Sequence, residues 1–270
     1  MNPVATTALL VAALRAEESK RTDKLFDDPF AHALAGDAGH AALRAYRGAA
    51  GTSIPIIEVR TRWFDEALVR VTTAGVRQVV ILAAGMDARA YRLQWPAGTS
   101  VFELDQPELI AHKGKVLGVH EPRCRRVALG VNLAADWTSV LRDSDFDPTS
   151  PTVWLVEGLT QYLETALVEG LFRRIDLLSA SRSVLLYDVV GRVLLESPAL
   201  GPTLRMMAEL GAPWIYGTDD PAGLIVPLGW DAMVIDPGEA GTRWGRWPFP
   251  IAPLSVPGVP RGYLIEASKR

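Results

Sequence analysis

Five short apolar runs, each of strand length and each followed by room for a helix, constrain this chain more than any other feature. Val79 to Ala83 (VVILA) comes first, then Val101 to Leu104 (VFEL), Val127 to Leu129 (VAL), Val153 to Val156 (VWLV) and Val184 to Tyr187 (VLLY). The first run is unbroken, as expected for a strand covered on both faces. Helical patterns fill the intervals. Ile57, Phe64, Leu68 and Val71 share one face of a helix that Gly75 stops. Pro107 to Leu117 has proline in its first turn and Gly118 just past its end. Leu163, Leu167, Leu171, Ile175 and Leu178 line up on a third helix. Strands alternating with helices predict an α/β fold, a parallel sheet with helices on both faces.

The flanks read differently. Val4 to Leu14 runs on into Arg15-Ala16-Glu17-Glu18-Ser19-Lys20 as one amphipathic helix. Met1-Asn2-Pro3 lacks the positive charge that opens a signal peptide, so a cytoplasmic location is expected. Gly211 to Pro260 is crowded with Pro, Gly and Trp. Met233 to Ile235 and Tyr263 to Ile265 predict two further strands in a hairpin-like edge; the proline-rich loops between them either cover the site or, the favoured reading, form surface connections. The expected organisation is one domain over 1–270: a helical extension (1–50), a binding core (51–190) and a substrate-side segment with the last strand pair (191–270).

Composition narrows the partners. Hydrophobic residues at 49% and charged residues at 22% suit an ordered globular chain. A formal charge of −3 argues against nucleic acid. The short cluster Arg123-Cys124-Arg125-Arg126 reads as decoration of a strand entrance. Cys124 is the single cysteine, so no internal disulfide forms. His32, His40, His112 and His120 show no metal-ligand spacing, and no metal is expected. No apolar run of about 18 residues exists to span a membrane.

Chemistry gathers at the strand ends, where open α/β sheets bind ligands. The first strand opens into Ala83-Ala84-Gly85-Met86-Asp87; the others lead to Asp105, Asn132, Glu157-Gly158 and Asp188. The first turn is no phosphate cradle, because the G-x-G-x-x-G pattern is absent; P-loop and G-x-S-x-G motifs are absent as well. A glycine that admits a ligand to the backbone, followed about 20 residues later by an acid, is the spacing that holds a ribose by its hydroxyls. Arg60 falls on the apolar face of its helix, where it needs either a carboxylate of the protein or that of a ligand. Ribose and amino-acid carboxylate together describe S-adenosylmethionine.

These residues sit in motifs that resemble a known family. RAEES (15–19), LFDDPFA (25–31), RTRWFD (60–65), LAAGMDARAYRL (82–93), FELDQP (102–107), VNLAADW (131–137) and VWLVEGLTQYL (153–163) occur in that order, and GTDDP (217–221) with Gly229-Trp230 extends them. Together they resemble the leucine carboxyl methyltransferase-like group of S-adenosylmethionine-dependent methyltransferases, in its bacterial branch. The resemblance implies a Rossmann-like class I methyltransferase fold, with a seven-stranded, mostly parallel sheet and an antiparallel last pair. It implies Arg60 at the methionine carboxylate, Gly85 along the methionine, Asp105 and the neighbouring Gln106 at the ribose, Asn132 and Leu133 beside the adenine, and Glu157 near methionine and ribose. Asn132 stands where the family usually has aspartate, and Ala83 where glycine is common.

The expected activity is O-methylation of a carboxylate on a small molecule or a peptide terminus, which needs no catalytic base. Tyr162, five residues past Glu157, is the candidate substrate-facing and catalytic residue, with packing as its favoured alternative role. The alternatives are a hydroxyl O-methyltransferase of a secondary metabolite, a nicotinamide-dependent oxidoreductase, and a non-catalytic cofactor-binding protein. No oligomeric state is implied.

Overall fold

The structure, a computed structural model, describes residues 3–50 and 54–270. Met1, Asn2 and the start of the expected core at residue 51 lie outside the described residues. The chain opens with helices α1 (Pro3–Ser19), α2 (Ala31–Ala50) and α3 (Ile56–Thr73). Then come β1 (Gln78–Leu82), α4 (Arg89–Arg92), β2 (Ser100–Asp105), α5 (Pro107–Leu117), β3 (Arg125–Gly130), α6 (Thr138–Arg142) and β4 (Thr152–Val156). The remainder is α7 (Thr165–Leu177), β5 (Val184–Val190), α8 (Arg192–Leu195), α9 (Gly201–Glu209), β6 (Trp230–Ile235), α10 (Pro237–Arg243) and β7 (Gly262–Lys269).

The seven strands form one sheet in the order β3-β2-β1-β4-β5-β7-β6. The first five are parallel; β7 runs antiparallel to both β5 and β6. Successive side chains of β1 point to opposite faces, and both faces are covered. Val79 and Ile81 join one core cluster with Val59, Phe64 and Leu68 of α3; Val80 and Leu82 join the other with Val168, Phe172 and Ile175 of α7. That double cover explains the unbroken apolar runs.

Two expectations need correction. The buried stripe of α7 passes through Val168, Leu171, Phe172 and Ile175, and Leu167 is 38% exposed, because the helix starts at Thr165 and its face is set by Phe172 against Tyr187. The first helix is not amphipathic: Leu9, Leu10, Ala12, Ala13, Leu14 and Ala16 are all buried, because α2 packs along it and the same helix closes over a cavity. The last two strands form the expected antiparallel edge pair: the intervening segment carries α10 and returns β7 to lie between β5 and β6, so β6 is the outer strand on that side of the sheet and β3 on the other.

Candidate active site

The strand order turns back on itself between β1 and β4, the place where open sheets of this kind hold ligands. A cavity of about 710 Å³ opens there, within the span of roughly 300–1,000 Å³ usual for ligand pockets. Strand-end loops form its floor. Ala8 and Leu14 of α1 lie along it, and so do Trp247, Phe249 and Ile251 of the proline-rich segment. That segment therefore borders the site, where surface connections were the favoured expectation, with Trp247 and Phe249 along the cavity.

The floor is built from tight turns. Ala83 and Gly85 adopt φ of 55° and 45° as the chain leaves β1. At Gly85 a Cβ would come 3.2 Å from Ala8 Cβ, so only glycine lets α1 lie this close. Ala83 holds the same left-handed conformation at a cost of about 1–2 kcal/mol. Asp105, the last residue of β2, accepts the Gly85 N–H on Oδ2 at 2.6 Å and the Gln106 N–H on Oδ1 at 2.7 Å. Burial pushes its carboxyl above the ordinary value against these bonds, and each oxygen keeps acceptor capacity for a further partner. Gln106, which begins the turn into α5, also lines the cavity. Asn132 and Leu133 follow β3 and line it as well; Asn132 Oδ1 is engaged by the Ala134 N–H at 3.0 Å.

Beneath the cavity runs a continuous chain of buried ion pairs. Arg60 donates from Nε to Glu157 Oε1 and from Nη1 to Asp188 Oδ2, both at 2.9 Å. Arg89, only 1% exposed, reaches Glu157 at 2.7 Å, Asp87 at 2.5 Å and Asp65 at 2.6 Å. Asp65 continues to Arg92 at 2.6 Å, Arg92 approaches Asp28 at 3.7 Å, and Asp28 lies 3.3 Å from Arg15 of α1. Arg15 also donates to the Met86 carbonyl in the first turn. Burial opposes the ionised form of Glu157 and Asp87, yet Arg89 leads the neighbouring cations that hold both carboxyls below their ordinary range. At Asp188 burial prevails over Arg60, and its carboxyl is pushed up.

The inward-facing Arg60 thus finds two carboxylates of the protein, and its Nη2 lies 3.2 Å from where a Gly158 Cβ would stand. Of the charged groups lining the cavity, Arg15, Arg60 and Arg261 face Asp87, Asp105, Glu157, Asp188 and Asp236. Carboxylates are in excess along this wall.

At the other end the lining turns aromatic. Tyr162 lies on the 3₁₀ turn Thr160–Tyr162 after β4, with its ring edge-on to Trp214 at 6.5 Å between centroids. Both line the cavity. Sequence reasoning did not single out Arg15, Arg89, Gln161 or Trp214 for the site. The charged partners of Arg15 and most of those of Arg89 are distant in sequence; only Asp87, two residues from Arg89, is local.

The strand order and its antiparallel last pair, with an acid ready after β2, define a Rossmann-like methyltransferase. Two solved structures share this fold: a DUF574 family protein from Streptomyces avermitilis (TM-score 0.67, 16% identity, 98% of this chain and 97% of that one) and a "putative methyltransferase" from Thermobifida fusca (TM-score 0.62, 18% identity, 88% and 92%). Residues 8–176 match the family model described as leucine carboxyl methyltransferase, and the chain belongs to that family. A relative from Mycobacteroides abscessus is 36% identical over 99% of this chain and 96% of its own length. Another, from Parafrankia sp., is 40% identical over 98% and 87%. Both carry the name "Putative S-adenosyl-L-methionine-dependent methyltransferase". The chain is an S-adenosylmethionine-dependent methyltransferase.

The residues present fit that cofactor. Its sulfonium and ammonium outweigh its one carboxylate, and the carboxylate-rich wall suits a net cation. Oxygens of Asp105 remain available to ribose hydroxyls, and the Gly85 turn brings bare backbone to the cavity. No helix among the described residues is long and apolar enough to cross a membrane.

Proposed function

We propose that the enzyme methylates a carboxylate oxygen, forming a methyl ester on a small apolar molecule or a peptide terminus. The observation that carries this reading is the state of the acids around the cavity. Glu157, Asp87, Asp188 and Asp236 are each bonded to an arginine, Asp105 holds two backbone N–H groups, and none of the described residues lining the cavity is a histidine. A hydroxyl acceptor needs a base within reach. A carboxylate is already ionised near neutral pH and needs only alignment and removal of water.

In this reading Asp105 and Gln106 hold the ribose, Asn132 and Leu133 border the adenine, and Gly85 lies along the methionine. Arg60 takes the methionine carboxylate while keeping Glu157 in place. Bound S-adenosylmethionine supplies a methyl group activated on a sulfonium. Tyr162 and Trp214 exclude water from the acceptor, which leaves the carboxylate poorly solvated and reactive. The family supports the carboxyl reading, since its model carries that chemistry in its name.

The test is methyl transfer from labelled S-adenosylmethionine into a cell extract, followed by mild alkali. Methyl esters release the label as methanol. Label that survives alkali overturns the carboxylate reading and favours a hydroxyl acceptor.

A further inference from the structure

Behind the turn that follows β1 lies a buried ion pair with no place in the cavity wall. Lys113 of α5 is the one buried lysine among the described residues, and Glu103 of β2 is its partner at 2.8 Å. Both side chains are wholly enclosed, and neither lines the cavity. Arg126 of β3 donates to the same oxygen, Glu103 Oε2, from Nε at 2.9 Å and from Nη2 at 2.6 Å, so the last arginine of the basic cluster at 123–126 reaches inward.

Lys113 has a second contact. Its Nζ donates to the Asp87 carbonyl at 3.0 Å. The other polar groups of Asp87 are engaged elsewhere: the N–H reaches the Ala84 carbonyl at 2.8 Å, and the carboxylate accepts from the backbone and the guanidinium of Arg89. The turn over 83–87 is therefore gripped at two points by one unit. Asp105 Oδ2 takes the Gly85 N–H at 2.6 Å, and Lys113 takes the Asp87 carbonyl. Glu103 and Asp105 stand two residues apart on β2 and so share a face, and α5, which carries Lys113, begins directly after them.

Stability does not account for this arrangement. A buried ion pair generally adds no more than apolar residues of similar volume would. What an apolar pair lacks is a donor at a fixed place. We infer that Lys113, held by Glu103, is a positioning residue for cofactor binding: it fixes the exit of the 83–87 turn and so keeps the Gly85 backbone where the cofactor meets it. The inference rests on the placement of the methionine portion along Gly85 given above, and adds the two residues that hold that surface in position from behind.

The test is calorimetric titration of S-adenosylhomocysteine into the full chain. K113M keeps a side chain of similar length and removes the donor. It should bind about tenfold more weakly than wild type, the scale of one lost hydrogen bond from a charged donor, and exchange amide hydrogens faster over 83–87 while α5 stays protected. The double variant E103L/K113M also removes the acid that K113M leaves buried, and its affinity should stay low whatever happens to its urea midpoint. Unchanged affinity in folded K113M, or affinity restored in the double variant, overturns the inference. D105A separates the two readings. Weak binding in D105A with normal binding in K113M overturns the positioning role alone; normal binding in both overturns the cofactor placement as well. Should neither Lys113 variant fold, the wild type decides: the shielded Lys113 ammonium should change its nitrogen NMR shift when S-adenosylhomocysteine is added, and an unmoved signal overturns the inference.

Discussion

One carboxylate does several jobs at Asp105. It holds the Gly85 and Gln106 N–H groups, and so fixes the turn after β1 and the start of α5. Hydrogen bonds to a charged acceptor contribute about 1.5–3 kcal/mol each. Asp105→Ala is therefore expected to weaken S-adenosylmethionine binding at least about tenfold in calorimetric titration. It should also lower the urea midpoint, which a residue serving the ligand alone would leave unmoved. Ala83 offers the opposite case. Its left-handed conformation costs about 1–2 kcal/mol, whereas glycine's greater freedom in the unfolded chain costs about 0.5–1 kcal/mol. Ala83→Gly should stabilise the protein by roughly 0.5–1 kcal/mol in urea unfolding; a loss of stability would show that the Ala83 methyl packs too well to remove. At Cys124 burial pushes the thiol up to about 12. A thiol-disulfide reagent at pH 8 should label it at least about tenfold more slowly in the native protein than in urea, the loss of thiolate being partly offset by the greater nucleophilicity of a more basic thiolate.

Among the elements, α1 is held to the cavity by Arg15, which reaches Asp28 of the following loop and the Met86 carbonyl. Removing one member of a buried pair costs about 3–5 kcal/mol, and the Arg92 contact that Asp28 retains sets the low end. Arg15→Ala should speed amide exchange throughout α1 while β1 and β4 stay protected; uniform exchange changes would mean that α1 is not a separable unit. The elements also show what the sequence made legible and why. Helix α5 lies between its proline and glycine, at the bounds the local signals predict. The inner parallel strands follow from apolar runs, because burial on both faces favours that pattern, whereas the edge strand β3 is half exposed. The α7 face was displaced because leucine spacing alone does not say which of two adjacent stripes meets the sheet. In the site, Gly85, Asp105 and Glu157 were legible as strand-end residues. Arg15, Arg89 and Trp214 were not, because long-range pairing leaves no periodic trace in a single chain.

For the molecule as a whole, pH acts through two opposed sets of carboxyls. Glu157 and Asp87 ionise more readily in the fold than their ordinary values of 4.5 and 3.8, so their stabilisation is complete above that range and is lost as pH falls below it. Asp105, Asp188 and Glu58 are pushed up by burial; they bind protons more readily folded than unfolded, and mild acid favours the fold through them. The urea midpoint should therefore be at least as high at pH 5.5 as at pH 7.5, and fall steeply by pH 3. A midpoint that declined steadily from pH 7.5 would show that the pushed-up group contributes nothing. Position of β7 has a further consequence, for synthesis. Strand 262–269 is made after 230–235 yet must slot between it and β5, so a ribosome that has finished β6 has nothing to attach it to. Until β7 emerges from the exit tunnel, β5 presents a bare edge and the Trp230 strand hangs loose, which makes the nascent chain a client for chaperones that bind unpaired strands.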